Sequence, residues 1–384
     1  MGTSDGAVLG ATQIVSNGSP AERYNLVLIS EGYQASQMAQ FASDAQSFIN
    51  TLFATPPYQS MRCAFNVYRV DVTSTDGGAD DPTACGGTGA TVRTYFDASF
   101  CNGGIRRLLE CDTNSVRNVV TGQVPQWHQI LVLVNSPVYG GSGGAIATFA
   151  VNGNWQQVAL HEMGHASFGF ADEYEYWAGC GVDAPGTHDH HPPGEPSQPN
   201  VTLNDNRSTI KWASLINAST AMPTMPNPDC TQCNRGPSPV AASTVGAFEG
   251  ADYYHCGAFR PEYECRMRDI GPEFCAVCQQ VIRKTMDPFM NRQLGPWLGV
   301  QFTGSVAPNS THRWFTYNWP AVWQVVWMVV PTSVQPGAPA ISWRVQVERA
   351  SPDYVTYWIS ITNLTANPVN IEARYAILSG YGTC

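Results

Sequence analysis

Residues 161–174 read HEMGHASFGFADEY, and this stretch decides how the surrounding chain is organised. His161 and His165 lie four positions apart, so on an α-helix they differ by about 40° and present both imidazoles to one point. Glu162 lies one position further round the helix, where it can act as a base without being a ligand. This spacing is typical of a helical zinc site. The alternative is a core helix that contains two hydrogen-bonded histidines.

A zinc site of this kind needs a third protein ligand and an open coordination position. Gly169 is expected to end the helix in a left-handed conformation. In the pattern HExxHxxGxxH the third ligand comes three residues after the glycine, and that position is Asp172 here. The glycine falls one residue later than in the pattern, so Glu173 and a residue of the 175–270 loops stay open as alternatives. Met267 is the candidate for the methionine that such sites place beneath the metal.

The composition indicates an exported, loop-rich protein. Charged residues make up only 13% of the 384 residues, whereas the chain holds 27 prolines and 35 glycines. The net charge is −10 and no basic run occurs, so nucleic acid is not an expected partner. No apolar run reaches 18 residues, so no membrane span is expected. The first residues do not resemble a signal peptide, and we expect the leader of an extracellular protein to have been removed.

Twelve cysteines favour disulfides, up to six of them, formed in an oxidising compartment. An alternative is a four-thiolate zinc site made by Cys230, Cys233, Cys275 and Cys278, which leaves the other eight cysteines unexplained.

Two other clusters could hold metal ions, although a solvated loop is the simpler interpretation of each. A calcium ion could bind the acidic loop at 73–91 through Asp76, Asp80 and Asp81. A second metal could bind the histidines at 188, 190 and 191.

The hydrophobic pattern predicts an α/β (α+β) domain followed by an all-β domain. A buried strand is predicted at 24–30, further strands at 64–72, 128–135 and 145–151, and helices at 35–53, 103–110, 155–168 and 273–287. We therefore expect a catalytic domain at 1–292 with a mixed sheet and an active-site helix. Residues 293–384 alternate aromatic or β-branched residues with polar ones, which predicts a β-sandwich accessory domain.

Several separated blocks of the sequence match a known pattern in the same order. They are RYNLVLISEGYQASQMAQF, PPYQSMRCAFNVYRV, NSPVYGGSGG, HEMGHASFGFADEY, FRPEYECRMR and EFCAVC. Together they resemble the IgA-peptidase family of zinc metallopeptidases over roughly residues 22–285. The resemblance implies a secreted, zinc-dependent endopeptidase with a metzincin-like catalytic domain.

The resemblance also implies roles for individual residues. His161 and His165 match the zinc histidines, and Glu162 matches the general base. Asp172 matches the acid after the glycine, and Met267 matches the segment CxM.

The expected function is hydrolysis of peptide bonds in proteins, with immunoglobulin A and other host or extracellular proteins as candidate substrates, by zinc-activated water with Glu162 as general base. A peptide is expected to pair with an edge strand at 145–151, and Tyr174 or Tyr263 to stabilise the developing negative charge. The C-terminal domain is expected to bind substrate or glycan. One alternative is a non-catalytic secreted adhesion protein with a structural metal, although such a site does not need Glu162. A metal-dependent deacylase or amidase is the other.

Overall fold

The structure is a computed structural model that describes residues 2–290 and 297–379. The chain divides into two compact units, of which one ends at Phe289 and the other begins at Met290. The predicted boundary between 292 and 293 lies outside the described residues. In the part of the chain that the structure describes, no helix is both long and apolar enough to cross a membrane.

The first unit contains eight strands and four helices among its described residues. The strands are β1 (Gly6–Val15), β2 (Tyr24–Glu31), β3 (Phe65–Ser74), β4 (Gln129–Val134), β5 (Gly141–Ser142), β6 (Ala147–Ala150), β7 (Phe248–Ala251) and β8 (Tyr254–Arg260). The helices are α1 (Met38–Leu52), α2 (Thr113–Gln123), α3 (Trp155–Phe168) and α4 (Ala276–Met290).

Six of these strands form one mixed sheet in the order β1-β3-β2-β4-β6-β5. The four inner strands are parallel, and β1 and β5 pair antiparallel at the two edges. β2 and β4 are buried along their whole length, as expected for parallel strands covered on both faces. The expected mixed α/β unit is therefore confirmed, but the predicted edge strand at 145–151 is wrong. Within that range the structure has β6, which lies between β4 and β5, so β5 is the strand at that edge of the sheet.

The two faces of the sheet are covered by different helices. Val27 of β2 packs in one apolar core with Val116 and Val120 of α2. Trp155, at the start of α3, stacks on Phe149 of β6 with ring centroids 5.9 Å apart. This aromatic contact holds the first turn of α3 against the sheet next to its β5 edge.

The predicted helix at 103–110 is wrong. This segment contains only a short 3₁₀ turn at Asn102–Gly104, because Gly103 and Gly104 adopt positive φ angles of 57° and 79°. The helix begins later, at Thr113. Asp112 caps it by accepting hydrogen bonds from the backbone amides of the second and third helical residues.

The second unit contains six described strands: β9 (Trp297–Val306), β10 (Thr311–Pro320), β11 (Gln324–Pro331), β12 (Ile341–Glu348), β13 (Tyr354–Asn363) and β14 (Val369–Ser379). They form two three-stranded antiparallel sheets in the orders β10-β13-β12 and β11-β14-β9. Trp319, Ile359 and Ile361 from the first sheet share one core with Trp327 and Ile371 from the second. The unit is thus a small β-sandwich, as the alternating pattern predicts.

Candidate active site

Helix α3 carries both histidines of the sequence motif. It ends at Gly169, whose φ of 65° is the predicted left-handed cap, whereas the side chain of Asn154 at the start makes no capping hydrogen bond. His161 Nδ1 lies 2.9 Å from the Arg266 carbonyl oxygen, and His165 Nδ1 lies 2.7 Å from that of Phe170. A carbonyl only accepts, so both Nδ1 atoms carry protons and both Nε2 atoms are available to ligate.

Asp172 completes a triangle of atoms that could hold a metal ion. Its Oδ1 lies 3.0 Å from His161 Nε2 and 3.2 Å from His165 Nε2, and the two Nε2 atoms are 3.2 Å apart. The neighbouring carboxylate of Glu173 is directed elsewhere, because it accepts a hydrogen bond of 2.9 Å from Asn200 and lies against Cys278. Of the two acids that the sequence leaves open, the structure thus brings Asp172 to the histidines.

The triangle fits a small cation. Ligand atoms at zinc–nitrogen distances of 2.0–2.1 Å in a tetrahedral site lie about 3.3 Å apart, close to the three distances here. Burial lowers the pKa of His165, but the charge of Asp172 outweighs this effect and raises it to about 9. Burial would raise the pKa of Asp172, and the nearby imidazoles instead hold it well below its usual range. The carboxylate of Asp172 therefore favours a positive charge, from a proton or a cation, among these three side chains.

Glu162 lies beside the triangle and faces the edge strand. A Cβ atom on Gly141 of β5 would lie only 2.9 Å from Glu162 Oε1, and one on Gly143 would lie 2.6 Å from His165 Cβ. The glycines of the segment NSPVYGGSGG thus allow the main chain to approach the motif helix closely. Burial raises the pKa of Glu162, and the positive charge of the histidines opposes the rise.

His161, His165, Asp172 and Glu162 line an open cleft of about 430 Å³. Arg107 and Tyr174 also line it, and the arginine Nη2 donates a 3.3 Å hydrogen bond to the tyrosine hydroxyl. Tyr263, the other predicted donor, does not reach this cleft, because its hydroxyl donates to the Gly236 carbonyl at 2.6 Å. The cleft therefore contains one of the two predicted tyrosines and an arginine that the sequence did not indicate.

Tyr253 is a second residue that the sequence did not indicate. Its hydroxyl donates a 2.6 Å hydrogen bond to Oδ2 of Asp172, the oxygen that faces away from His161 and His165. Asp252 and Tyr253 form the tight turn between β7 and β8, with φ angles of 52° and 72°. Positive φ angles are unfavourable for non-glycine residues. This turn conformation directs the Tyr253 hydroxyl towards Asp172.

The segment around Met267 packs against α3. Arg266 supplies the carbonyl that orients His161, and the side chain of buried Met267 lies against Gly164, where a Cβ atom would be 2.7 Å from its sulfur. The structure thus places Met267 next to the helical turn that joins the two histidines.

The other predicted metal clusters are not brought together in the same way. Asp76 pairs with Arg93, Asp81 with Arg106, and Asp80 accepts from the backbone amide of Val92. These contacts do not support the calcium site, which stays a prediction. Among the predicted histidines, His191 bonds to Asp252 at 3.0 Å and His188 stacks on Trp177.

The cysteines divide between disulfides and free thiols. Three described pairs are Cys85–Cys101, Cys180–Cys233 and Cys230–Cys256. Because Cys230 and Cys233 are in disulfides, the alternative of a four-thiolate site is wrong. The prediction of disulfides is confirmed, but they are fewer than the upper limit of six, because Cys111, Cys265, Cys275 and Cys278 are free.

Comparison with known proteins identifies the family. A family model described as IgA Peptidase M64 matches residues 12–236 and 237–286, about seven tenths of the chain. The matched residues include α3, the Asp172 segment and the Met267 segment. A comparison with curated proteins gives no match. The chain therefore belongs to the IgA Peptidase M64 family, a family of peptidases.

Proposed function

We propose that the chain is an exported zinc-dependent endopeptidase. The observation that carries the proposal is the triangle of His161, His165 and Asp172, whose ligand atoms lie within 3.2 Å of each other beside Glu162 in an open cleft. When bound, zinc would act as a Lewis acid towards the scissile carbonyl and the attacking water. The described disulfides are in keeping with an oxidising, extracellular location.

Glu162 is the proposed general base. Its carboxylate is not engaged by the triangle and faces the cleft, so it can take a proton from the attacking water and deliver it to the leaving amine. Burial raises its pKa, which makes it a stronger base than an exposed carboxylate. This assignment also favours an enzyme over the adhesion protein, because a structural metal site has no use for such a base.

Arg107 and Tyr174 are the proposed electrostatic partners of the reacting carbonyl. Both line the cleft, and the guanidinium beside the tyrosine hydroxyl supplies positive charge where negative charge would develop. Burial lowers the pKa of Arg107, but the adjoining Tyr174 hydroxyl and the charge of Asp172 outweigh this effect, so the pKa is raised above its ordinary value.

The substrate is proposed to be an extended polypeptide that lies against the β5 edge. The main chain of Gly141 is already hydrogen-bonded to residues 107–109. The segment proposed to pair with the substrate is therefore 142–144, which lines the cleft together with His165. Backbone pairing of this kind tolerates many side chains, which suits a peptidase. Whether immunoglobulin A is among the substrates is decided by assay.

A binding role for the β-sandwich unit is also a proposal. Phe315, Tyr317 and Trp358 lie together on one face of the sheet β10-β13-β12, with Phe315 57% and Tyr317 63% exposed. Trp358 Nε1 donates to Glu348 at 2.8 Å. Exposed aromatic rings next to polar groups suit the apolar face of a sugar ring or a substrate segment.

The test compares the native chain with Glu162→Gln on unfolded casein and on immunoglobulin A, with zinc content measured for both. Because Glu162 is outside the ligand triangle, we expect the variant to keep its zinc and to lose activity at least about 100-fold. Glu264→Gln, at an exposed position away from the cleft, is the matched control and should cleave normally. A zinc-loaded native chain that cuts neither protein, or an active Glu162→Gln, would contradict the proposal.

A further inference from the structure

A second cluster of metal-ligating side chains lies outside the cleft. Glu173, Cys265, Cys275 and Cys278 are all buried, and their ligand atoms all lie within 4.8 Å of one another. The residues come from three separated segments: the one after α3, the Met267 turn and the start of α4. Three free thiols and one carboxylate thus converge in the interior of the first unit, and none of the described disulfides involves these cysteines.

The distances in this cluster are those of a tetrahedral metal site. Cys265 Sγ and Cys278 Sγ are 4.0 Å apart, and Glu173 Oε1 lies 3.6 Å from Cys278 Sγ and 3.9 Å from Cys275 Sγ. Tetrahedral zinc with Zn–S near 2.3 Å and Zn–O near 2.0 Å separates two sulfurs by about 3.8 Å and a sulfur from an oxygen by about 3.5 Å. A disulfide would need its sulfurs about 2.0 Å apart.

Backbone amides are directed at the sulfurs. Cys265 Sγ lies 3.5 Å from the amide nitrogen of Met267 and 3.3 Å from that of Cys275, and Cys275 Sγ lies 3.4 Å from that of Cys278. Amide donors stabilise sulfur that carries negative charge, as a ligating thiolate does. The spacing Cys275-x-x-Cys278 at the start of α4 adds the partial positive charge of a helix N-terminus.

The buried carboxylate of Glu173 is only partly satisfied by hydrogen bonds, and a cation would stabilise it. Its carboxylate is fully buried, Oε1 bonds to Asn200, and Oε2 has no hydrogen-bond partner among the described residues. A buried carboxylate with one unpaired oxygen is costly, and a cation bound at Oε1 would offset this cost by neutralising the charge of the carboxylate. The buried Arg260 lies near enough to balance part of the negative charge of three thiolates and a carboxylate around a divalent ion.

We propose that Glu173, Cys265, Cys275 and Cys278 bind a structural zinc ion. Four protein ligands fill the tetrahedron and the site is buried, so it has no open position for a substrate. Three thiolates favour zinc over magnesium or calcium, which take oxygen ligands.

The second site would position the first. Glu173 follows Asp172 directly, its amide donates a 2.7 Å hydrogen bond to the Met267 carbonyl, and Cys265 lies two residues before Met267. A metal at the second site would thus join the segment of Asp172 to the turn that orients His161. This positioning role rests on the proposed function, whereas zinc binding by the cysteine cluster does not.

The experiment separates the two sites by variants. Metal is measured in the native chain, in His161→Ala/His165→Ala, in Cys275→Ser/Cys278→Ser and in Cys111→Ser, a control in which the free thiol lies outside the cluster. We expect two zinc ions per native chain, one in each double variant, and two in the control. Cobalt replacement in the double-histidine variant should give an intense thiolate-to-cobalt charge-transfer band, which needs no folding of a cysteine variant.

Two results would overturn the proposal. One is a double-histidine variant that takes up neither zinc nor cobalt with thiolate ligation. The other is a disulfide between any two of Cys265, Cys275 and Cys278 in the native chain, found by peptide mapping without reductant. Neither result depends on whether the chain cleaves proteins, so failure of the peptidase proposal and failure of this one are distinguishable.

Discussion

At the scale of single residues, Tyr253 is predicted to raise the metal affinity of the proposed site through its hydrogen bond to Asp172, without binding the metal itself. Its hydroxyl bonds to Asp172 Oδ2, so Tyr253→Phe removes that bond and keeps the ring. Loss of such an outer partner lowers metal affinity by about 10–100-fold in comparable sites, and we expect the same here. Titration with a competing chelator measures it. Tyr254→Phe, the next residue of the hairpin, should bind zinc as the native chain does, and equal affinity for all three proteins would contradict the prediction.

Glu31 is predicted to give the first unit a dependence of stability on pH. Burial raises its pKa from 4.5 to about 7, while hydrogen bonds from the backbone amides of Phe96 and Ala98 oppose the rise. The folded protein therefore holds a proton that the unfolded chain releases. The effect is absent below pH 4.5 and destabilises the fold increasingly up to about pH 7, by about 3 kcal/mol.

The variant Glu31→Gln cannot titrate, so it isolates this effect from every other group. We expect the native chain to lose stability relative to the variant as the pH rises from about 4.5 to 7.5. Denaturant unfolding at a series of pH values measures the difference. A difference that stays constant over this range would show that Glu31 does not hold its proton in the folded state.

The residues of the site differ in how far the sequence could predict them. His161, Glu162 and His165 lie on one helical turn, so spacing alone groups them. Asp172 could be proposed only together with Glu173, because a one-residue difference after a helix end decides which carboxylate turns inward. Tyr253 is 81 residues from its partner Asp172, and no local pattern connects them.

At the scale of secondary structure elements, the close approach of β5 to α3 leads to a prediction for Gly143. Gly143 directly follows β5, and Gly143→Ala places a methyl group 2.6 Å from His165 Cβ, so this segment or the helix must shift. We expect kcat/KM to fall at least about tenfold, which corresponds to about 1.4 kcal/mol. Gly122→Ala is the control, because a Cβ on this exposed residue of α2 would meet no atom within 4 Å.

The control should keep full activity and gain up to about 1 kcal/mol in stability, since alanine favours a helix over glycine. Peptide cleavage and denaturant unfolding of both variants measure the two effects. Native activity in Gly143→Ala would mean that the edge strand can move away from α3 without consequence, against the geometry described here.

The elements were predictable where one physical signal dominates. β2 and β4 each contain a continuous apolar run, and α3 has two histidines at helical spacing and a glycine at its end, so their positions follow from the sequence. α2 was missed because its signal is a single capping residue, Asp112, followed by a short apolar stripe. The edge of the sheet was misplaced because β5 has only two residues, both without large side chains, and strand order depends on contacts that periodicity does not encode.

At the scale of the whole molecule, the two units have separate cores and are predicted to unfold separately. Both proposed metal sites lie in the first unit, whereas seven of the 11 tryptophans lie in the second: Trp297, Trp314, Trp319, Trp323, Trp327, Trp343 and Trp358. A ligand that binds only the folded state stabilises the unit that holds it, so removal of metal should destabilise the first unit alone. Tryptophan fluorescence then reports mainly on the unit that metal does not touch.

We therefore expect calorimetry to resolve two transitions for the native chain and chelator to lower only one of them. The tryptophan fluorescence transition should stay close to its original temperature. Removing zinc from the triangle alone, with His161→Ala/His165→Ala, should abolish cleavage with a smaller thermal shift than chelator produces, because the buried cysteine cluster would still hold its ion. A single transition that chelator shifts as a whole would show that the two units are thermodynamically coupled and that the metal-dependent stability is not confined to the first.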